Sequence, residues 1–103
     1  TPGSSVLPQT QTPALVQHVD YRLPIQAAIE APRARLWDGR RVQAESRIAP
    51  AVLAGLAARG HAVEAPLPWT MAAGGMQGIA IDPASGVLTG GADPRREGYV
   101  VAA

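Results

Sequence analysis

Side chains able to do acid–base or nucleophilic chemistry are few and scattered along this sequence. There are two histidines, His18 and His61, and no cysteine. Neither histidine belongs to a His-x-x-x-His or His-Glu pair, so no zinc-ligand spacing is present and no metal site is expected. Both read as capping or surface residues, His18 on a helix and His61 directly after the helix-ending Gly60. The carboxylates Glu30, Glu45 and Asp82 are isolated from one another in sequence. Such groups more often satisfy backbone donors or arginine than act as general acids, and Arg33 with Glu45 is a candidate pair across a sheet. A free N-terminal Thr1 would combine a hydroxyl nucleophile with its own amine as base. Pro2, however, restricts the backbone just where that amine must be placed, so Thr1 is not assigned as a nucleophile. Gly74-Gly75 and Gly90-Gly91 fit neither a dinucleotide fingerprint nor a phosphate loop and read as turns or points of close backbone approach. The run Pro2-Gly3-Ser4-Ser5 is able to present successive backbone N–H groups to an anion.

The elements that must hold these groups come from a chain of 103 residues, room for a single unit covering 1–103. Nine cations, all arginine, face eight acidic residues, a net charge of +1. Neither a basic excess nor a basic stripe is present, so nucleic acid is not an expected partner. Every apolar run is broken well short of the ~20 residues of a membrane-spanning helix, so no membrane partner is expected. Phe is absent and the aromatics are Tyr21, Trp37, Trp69 and Tyr99. A core of Ala, Val, Leu and Ile in a unit of this size buries roughly 60–68% of the unfolded surface, which predicts marginal stability without a partner.

Residues 1–12 hold two Pro, one Gly, three Thr and two Ser without a period and read as an irregular loop. Thr12-Pro13 then signals a helix start, with Leu15, Val16, Val19 and Leu23 as its apolar stripe. A second short helix follows Pro24, with Ile25, Ala28 and Ile29 on one side, and ends at Pro32. Arg41–Glu45 reads as a short strand after a turn at Asp38-Gly39. A third helix starts at Pro50, carries Val52, Leu53, Leu56 and Ala57 in a stripe, and ends on Gly60 as a left-handed cap. His61–Glu64 is a further strand candidate. Met76–Ile81 and Val87–Thr89 flank Asp82-Pro83-Ala84-Ser85-Gly86, the best hairpin signal in the chain. Three helices, short strands and a C-terminal hairpin make the fold class α+β.

Five segments in order resemble the C-terminal part of the gamma-glutamyltransferase (gamma-glutamyltranspeptidase) family. They are Pro24–Arg33, Glu45-Ser46-Arg47, Leu56–Val63, Gly74-Gly75-Met76-Gln77 and Gly90-Gly91-Ala92-Asp93-Pro94-Arg95. Thr1-Pro2-Gly3-Ser4-Ser5 with Asp20-Tyr21 is similar to the family's Ser/Thr-Pro-Gly-Gly loop and the Asp-Tyr-Gly beyond it. The resemblance implies part of an N-terminal-nucleophile hydrolase αββα sandwich, made as a precursor that cuts itself into a large and a small subunit. It implies no cofactor, and no catalytic nucleophile in this chain, because the family's nucleophilic Thr lies upstream. Gly3 and Ser4 take the positions whose backbone N–H groups serve the oxyanion, and Ser4 replaces the family's second Gly. The resemblance also implies that Pro32 and Gly60 are structural and that Asp93-Pro94-Arg95 ties down the tail through an arginine contact.

Two functional readings follow. In the first, the chain is the last part of an amidohydrolase or acyltransferase that cleaves gamma-glutamyl (glutathione-like) or related small amides through an acyl-enzyme, silent by itself. Its partners are then the remaining small- and large-subunit segments and the amide substrate. In the second, it is a non-catalytic or degenerate stand-alone module of the same fold that binds a partner. Exported relatives tilt the expected location toward periplasm or exterior.

Overall fold

The computed structural model describes residues 5–103. Helix α1 spans Val6–Val19 and α2 Ile25–Glu30. Strands β1 (Ala34–Leu36) and β2 (Arg41–Ala44) form an antiparallel pair, and α3 (Pro50–Ala58) carries the chain over to β3 (Ala62–Glu64), parallel to β2. A single 3-10 turn at Met71–Ala73 leads into the hairpin of β4 (Gln77–Ile81) and β5 (Leu88–Ala92), and a second at Pro94–Arg96 opens the tail. The fold is α+β, with a three-stranded sheet β1-β2-β3 and a separate two-stranded sheet.

Several elements arise where local chemistry demands them. Pro32 keeps Ala31 extended (φ −53°, ψ 143°) and stops α2 at Glu30. Pro50 opens α3, and Gly60 takes φ +95° after it. In the hairpin turn the Asp82 carboxylate accepts from the Ala84 N–H (2.9 Å) and the Ser85 hydroxyl (2.6 Å), while Gly86 adopts φ +73°. The hairpin lies against α2, and Gly91 permits the approach: a Cβ there would stand 2.8 Å from Ile29 Cδ1. Ile29 and Ala28 are buried at this contact.

The start of the chain departs from expectation. Residues 6–12, expected as loop, are the first half of α1, and Thr12-Pro13 lies inside that helix rather than at its start. Pro8 costs nothing, because the third helical residue has no intrahelical partner for an N–H. Pro13 does forfeit a bond to the Gln9 carbonyl, a penalty of about 3 kcal/mol in a helix interior. Tertiary contacts override it: Val6, Thr10 and Ala14, at i, i+4 and i+8, are the buried face. The expected stripe points outward instead, with Leu15 62% and Val19 60% exposed. α3 likewise buries none of its residues fully. One face of the hairpin is open as well, with Ile79, Ile81 and Leu88 about two-thirds exposed. β1, absent from the sequence reading, pairs with β2 through Ala34↔Ala44 and Leu36↔Val42.

Candidate functional site

The two residues singled out as oxyanion donors, Gly3 and Ser4, lie outside the described residues, as do Pro2 of the anion-binding run and Thr1. What is described is the anchor immediately after them. Among the described residues, helix α1 begins at Val6 with no side-chain cap from Ser5 and no acidic residue in its first turn, so the helix's own side chains do not neutralise the positive end of its dipole.

Three side chains fix this helix start. The Gln9 amide donates to the Ser5 carbonyl (3.0 Å) and the Leu36 carbonyl (3.1 Å) and accepts from the Leu36 N–H (2.6 Å). Thr10 is buried and donates its hydroxyl to the Ala73 carbonyl at 2.8 Å. Arg35 reaches the Ala72 carbonyl (3.0 Å) and the Ser5 hydroxyl (3.5 Å), its guanidinium stacked 3.6 Å from the Trp37 ring centre. The 3-10 turn at 71–73 is thus the post to which α1 is tied. Its carbonyls and the next are all engaged: Met71 by Arg96 (2.9 Å), and Ala73 and Gly74 by the Arg33 guanidinium (3.4 Å each). An open groove of about 380 Å³ lies alongside, lined by Gln11, Thr12 and Leu15 of α1 and by Met76 and Gln77.

Arg33 continues into a buried charge cluster that joins four segments distant in sequence. Glu45, fully buried, accepts five hydrogen bonds. Arg95 Nε (2.6 Å) and the Thr70 N–H (3.0 Å) reach one oxygen; Arg47 Nη2 (2.7 Å), Arg95 Nη2 (2.8 Å) and the Arg33 N–H (3.0 Å) reach the other. Asp93, also fully buried, pairs with the Arg33 guanidinium at 2.7 Å and Arg95 Nη1 at 3.1 Å, and accepts from the Met76 and Arg95 N–H groups. Arg95 makes full use of its five donors, the last two reaching the Ile29 and Ala31 carbonyls at 2.9 Å. Pro32 leaves the last carbonyls of α2 without helical partners. Arg33 and Arg95 satisfy Ile29, Arg47 satisfies Glu30 (2.8 Å) and Arg95 satisfies Ala31. Trp69 covers the outside, with Arg47 3.4 Å and Arg95 4.9 Å from its ring centre.

Electrostatics follow the geometry. Burial pushes the Glu45 carboxyl up, but the hydrogen bonds from Arg95 and from the Thr70 and Arg33 N–H groups outweigh it and hold Glu45 below its ordinary range. Asp93 is likewise held down, burial being outweighed by the Arg95 and Met76 N–H groups and the charges of Arg33 and Arg95. Burial and the neighbouring Arg95 charge lower Arg33 despite Asp93, whereas Glu45 and Asp93 raise Arg95 against burial. Such fully satisfied carboxylates, held ionised at neutral pH, are structural clamps rather than proton shuttles.

Sequence reasoning reached part of this arrangement. Asp93-Pro94-Arg95 does tie the tail through arginine to carboxylate and carbonyl contacts. Glu45 does serve arginine and backbone donors, although Arg33 offers it only the backbone N–H and sends its guanidinium to Asp93. Glu45 sits one residue past β2, so its side chain meets Arg33 from the adjoining end of β1 while Asp93 arrives from the hairpin. His18 Nδ1 donates to the Leu23 carbonyl (2.7 Å), a local turn contact, and His61 follows α3 half-buried. Gln9, Thr10, Arg35 and Thr70 went unrecognised. Gln9-Thr10 fell in the stretch read as loop, and the one available signal was Val6, Thr10 and Ala14 at four-residue spacing.

The sequence matches the family described as Gamma-glutamyltranspeptidase over residues 1–103. It is 40% identical over 102 residues to an Acylase ACY 1 proenzyme of Pseudomonas sp. (strain SE83), covering 98% of this chain and 17% of that protein. It is 36% identical over 108 residues to the Glutathione hydrolase-like YwrD proenzyme of Bacillus subtilis (strain 168), covering 98% and 20%. The fold superposes on a cephalosporin acylase from Bacillus halodurans with a TM-score of 0.82 at 35% identity, over 90% of this chain and 17% of that one. The chain therefore spans about a sixth to a fifth of the relatives it matches. With its matched segments in order and its buried Glu45–Asp93–Arg95 clamp built from them, this chain belongs to the gamma-glutamyltranspeptidase family of N-terminal-nucleophile hydrolases and acylases.

Proposed function

We propose that residues 1–103 are the C-terminal portion of the small subunit of an amidohydrolase or acyltransferase, acting on gamma-glutamyl or related small amides. In this reading the nucleophile is the Thr exposed upstream by self-cleavage of the precursor. Its hydroxyl adds to the amide carbonyl carbon while its own α-amine takes the proton. The carbonyl oxygen becomes an oxyanion, and the tetrahedral adduct collapses by breaking the C–N bond, the proton passing to the leaving amine. Water or a second amine then releases the acyl group and regenerates the Thr.

The contribution of this chain is the pair of backbone donors at Gly3 and Ser4, facing the oxyanion. The observation that carries the reading is the start of α1 directly after them. Among the described residues it has no side-chain cap and no acidic residue in its first turn, and it is held by Gln9, Thr10 and Arg35. A helix N-terminus of this kind favours negative charge nearby, and one oxyanion donor is worth about 2.7–4 kcal/mol of barrier. At Ser4 this chain carries a side chain where the family has its second Gly, and a comparison of small with bulky acyl groups reads its effect on specificity. The exposed apolar residues of α1 and the hairpin, Leu15, Val19, Ile79, Ile81 and Leu88, are the surfaces that the remaining precursor segments cover. The chain alone is then catalytically silent.

The test is hydrolysis of a chromogenic gamma-glutamyl amide and of short amides by the full-length precursor, beside a variant of its new N-terminal Thr. Turnover lost only in that variant supports the reading. Turnover by residues 1–103 alone refutes it.

A further inference from the structure

We propose that the outer edge of β4 is the junction between this chain and the rest of its protein, where an apolar strand from upstream of residue 1 pairs and packs against α1. The junction rests on the reading of residues 1–103 as the last part of a longer precursor, and adds to it which edge is extended and by what kind of segment. In the hairpin the Asp82 N–H bonds the Val87 carbonyl (3.0 Å), and the register runs on through Ile81↔Leu88, Ala80↔Thr89, Ile79↔Gly90, Gly78↔Gly91 and Gln77↔Ala92. Bonded and unbonded pairs alternate along an antiparallel ladder. Ala80 and Gly78 therefore exchange bonds with β5, whereas Ile81, Ile79 and Gln77 turn both N–H and carbonyl away from it. Ala92, opposite Gln77, faces outward in the same way on β5, and there the Gln26 side chain stands in for a strand: it accepts from the Ala92 N–H (2.9 Å) and donates to the Ala92 carbonyl (2.8 Å). β4 has no such cover. Among the described residues nothing bonds the outward groups of Gln77, Ile79 or Ile81, and β4 pairs with β5 alone.

Two apolar surfaces meet at this edge. α1 lies beside α2, and its Gln11, Thr12 and Leu15 face Met76 and Gln77, where β4 begins, across the open groove of about 380 Å³. Leu15 is exposed beside that groove, as are Ile79 and Ile81 farther along the strand. A strand bonded to β4 would lie about 4.8 Å beyond it. On the helical side of the sheet its side chains meet Leu15, and on the other side they extend the row of Ile79 and Ile81. The occupant is thus apolar on both faces, as strands covered on both sides are. A two-stranded hairpin is at best marginally stable alone, and an open apolar edge is a template for another strand. Most of a precursor of the relatives' length lies outside this chain, which is the source of that strand.

Hydrogen exchange at residue resolution on the full-length, self-cleaved protein reads the edge. Expected are Ile79 and Ile81 amides that exchange at least about a hundredfold more slowly than unbonded ones, as slowly as those of Gly78 and Ala80. Free exchange at Ile79 and Ile81 overturns the proposal. Photo-cross-linking of the same protein carrying Gln77→benzoylphenylalanine, prepared as a mixture of heavy- and light-isotope copies, identifies the occupant. The expected product joins position 77 to an apolar peptide from upstream of residue 1 with the same isotope label. Mixed-label products, which mark a second copy, or cross-links confined to residues 1–103 overturn it. Intact mass tests the underlying reading separately. A natural product with nothing upstream of residue 1 refutes that reading, whereas a longer product with freely exchanging Ile79 and Ile81 refutes only the junction at β4.

Discussion

Replacing Glu45 with Gln preserves size and shape but not the ability to accept. The five donors divide two against three between the carboxylate oxygens. Whichever way the new amide is turned, its NH2 faces at least two N–H groups that it cannot satisfy, and Arg95 is left with Asp93 as its only counter-charge. Hydrogen bonds to charged groups contribute about 1.5–3 kcal/mol each, and breaking a buried pair from one side costs about 3–5 kcal/mol. A loss near 4 kcal/mol follows, a large part of the 5–15 kcal/mol typical of a native protein. At about 1.36 kcal/mol per decade, it corresponds to roughly a thousandfold faster exchange of the amides whose protection depends on the cluster. Those are Thr70 and Arg33, whose N–H groups lose their Glu45 acceptor directly, and Met76 and Arg95, which bond Asp93. Hydrogen exchange with mass spectrometry on the assembled protein reads all four. The control is Glu64→Gln, since Arg41 and Glu64 are 3.9 Å apart and both more than half exposed; exposed pairs of this kind are worth about 0–1 kcal/mol. If Glu45→Gln perturbs these amides no more than Glu64→Gln does, the buried cluster is not what secures the tail.

Glu45 and Asp93 have native pKa values below their ordinary 4.5 and 3.8, so at acid pH the unfolded chain binds more protons and stability rises with pH. Their contribution is complete above about pH 5 and is lost as pH falls through the depressed native values; thermal melts from pH 6 to 3 should show it, with a shallower slope in Glu45→Gln. Gly91→Ala places a methyl 2.8 Å from Ile29 Cδ1 and should destabilise by about 1–3 kcal/mol, read by denaturant unfolding. Gly55→Ala, exposed within α3 with nothing within 4 Å of the new Cβ, should stabilise by about 0.5–1 kcal/mol in the same assay.

The parts of the fold legible in sequence are those with local causes. Asp82 and Gly86 define their hairpin turn, Pro32 and Gly60 stop their helices, and Pro50 starts one. α1 was misplaced because Pro8 and Pro13 mimic loop chemistry, while the forces that hold the helix lie in Leu36 and Ala73, 27 and 63 residues away. The apolar stripe of α1 was visible but its direction was not: Leu15 and Val19 face outward here, and periodicity does not say which surface covers a stripe. β1 is three residues long, too short for an alternating signal. At the site, Asp93-Pro94-Arg95 was expected to bind a carboxylate, yet Glu45 stands fifty residues earlier. Nothing in the spacing could have joined them.

In the proposed reaction this chain lends backbone donors and the attacking hydroxyl lies upstream. Trapping the acyl-enzyme of the full-length protein with a slow amide substrate, followed by peptide mass spectrometry, tests it most directly. The account predicts the acyl mass on the peptide that begins with the self-cleaved Thr and none on residues 1–103. An acyl group on Thr1, Ser4 or Ser5 would contradict it.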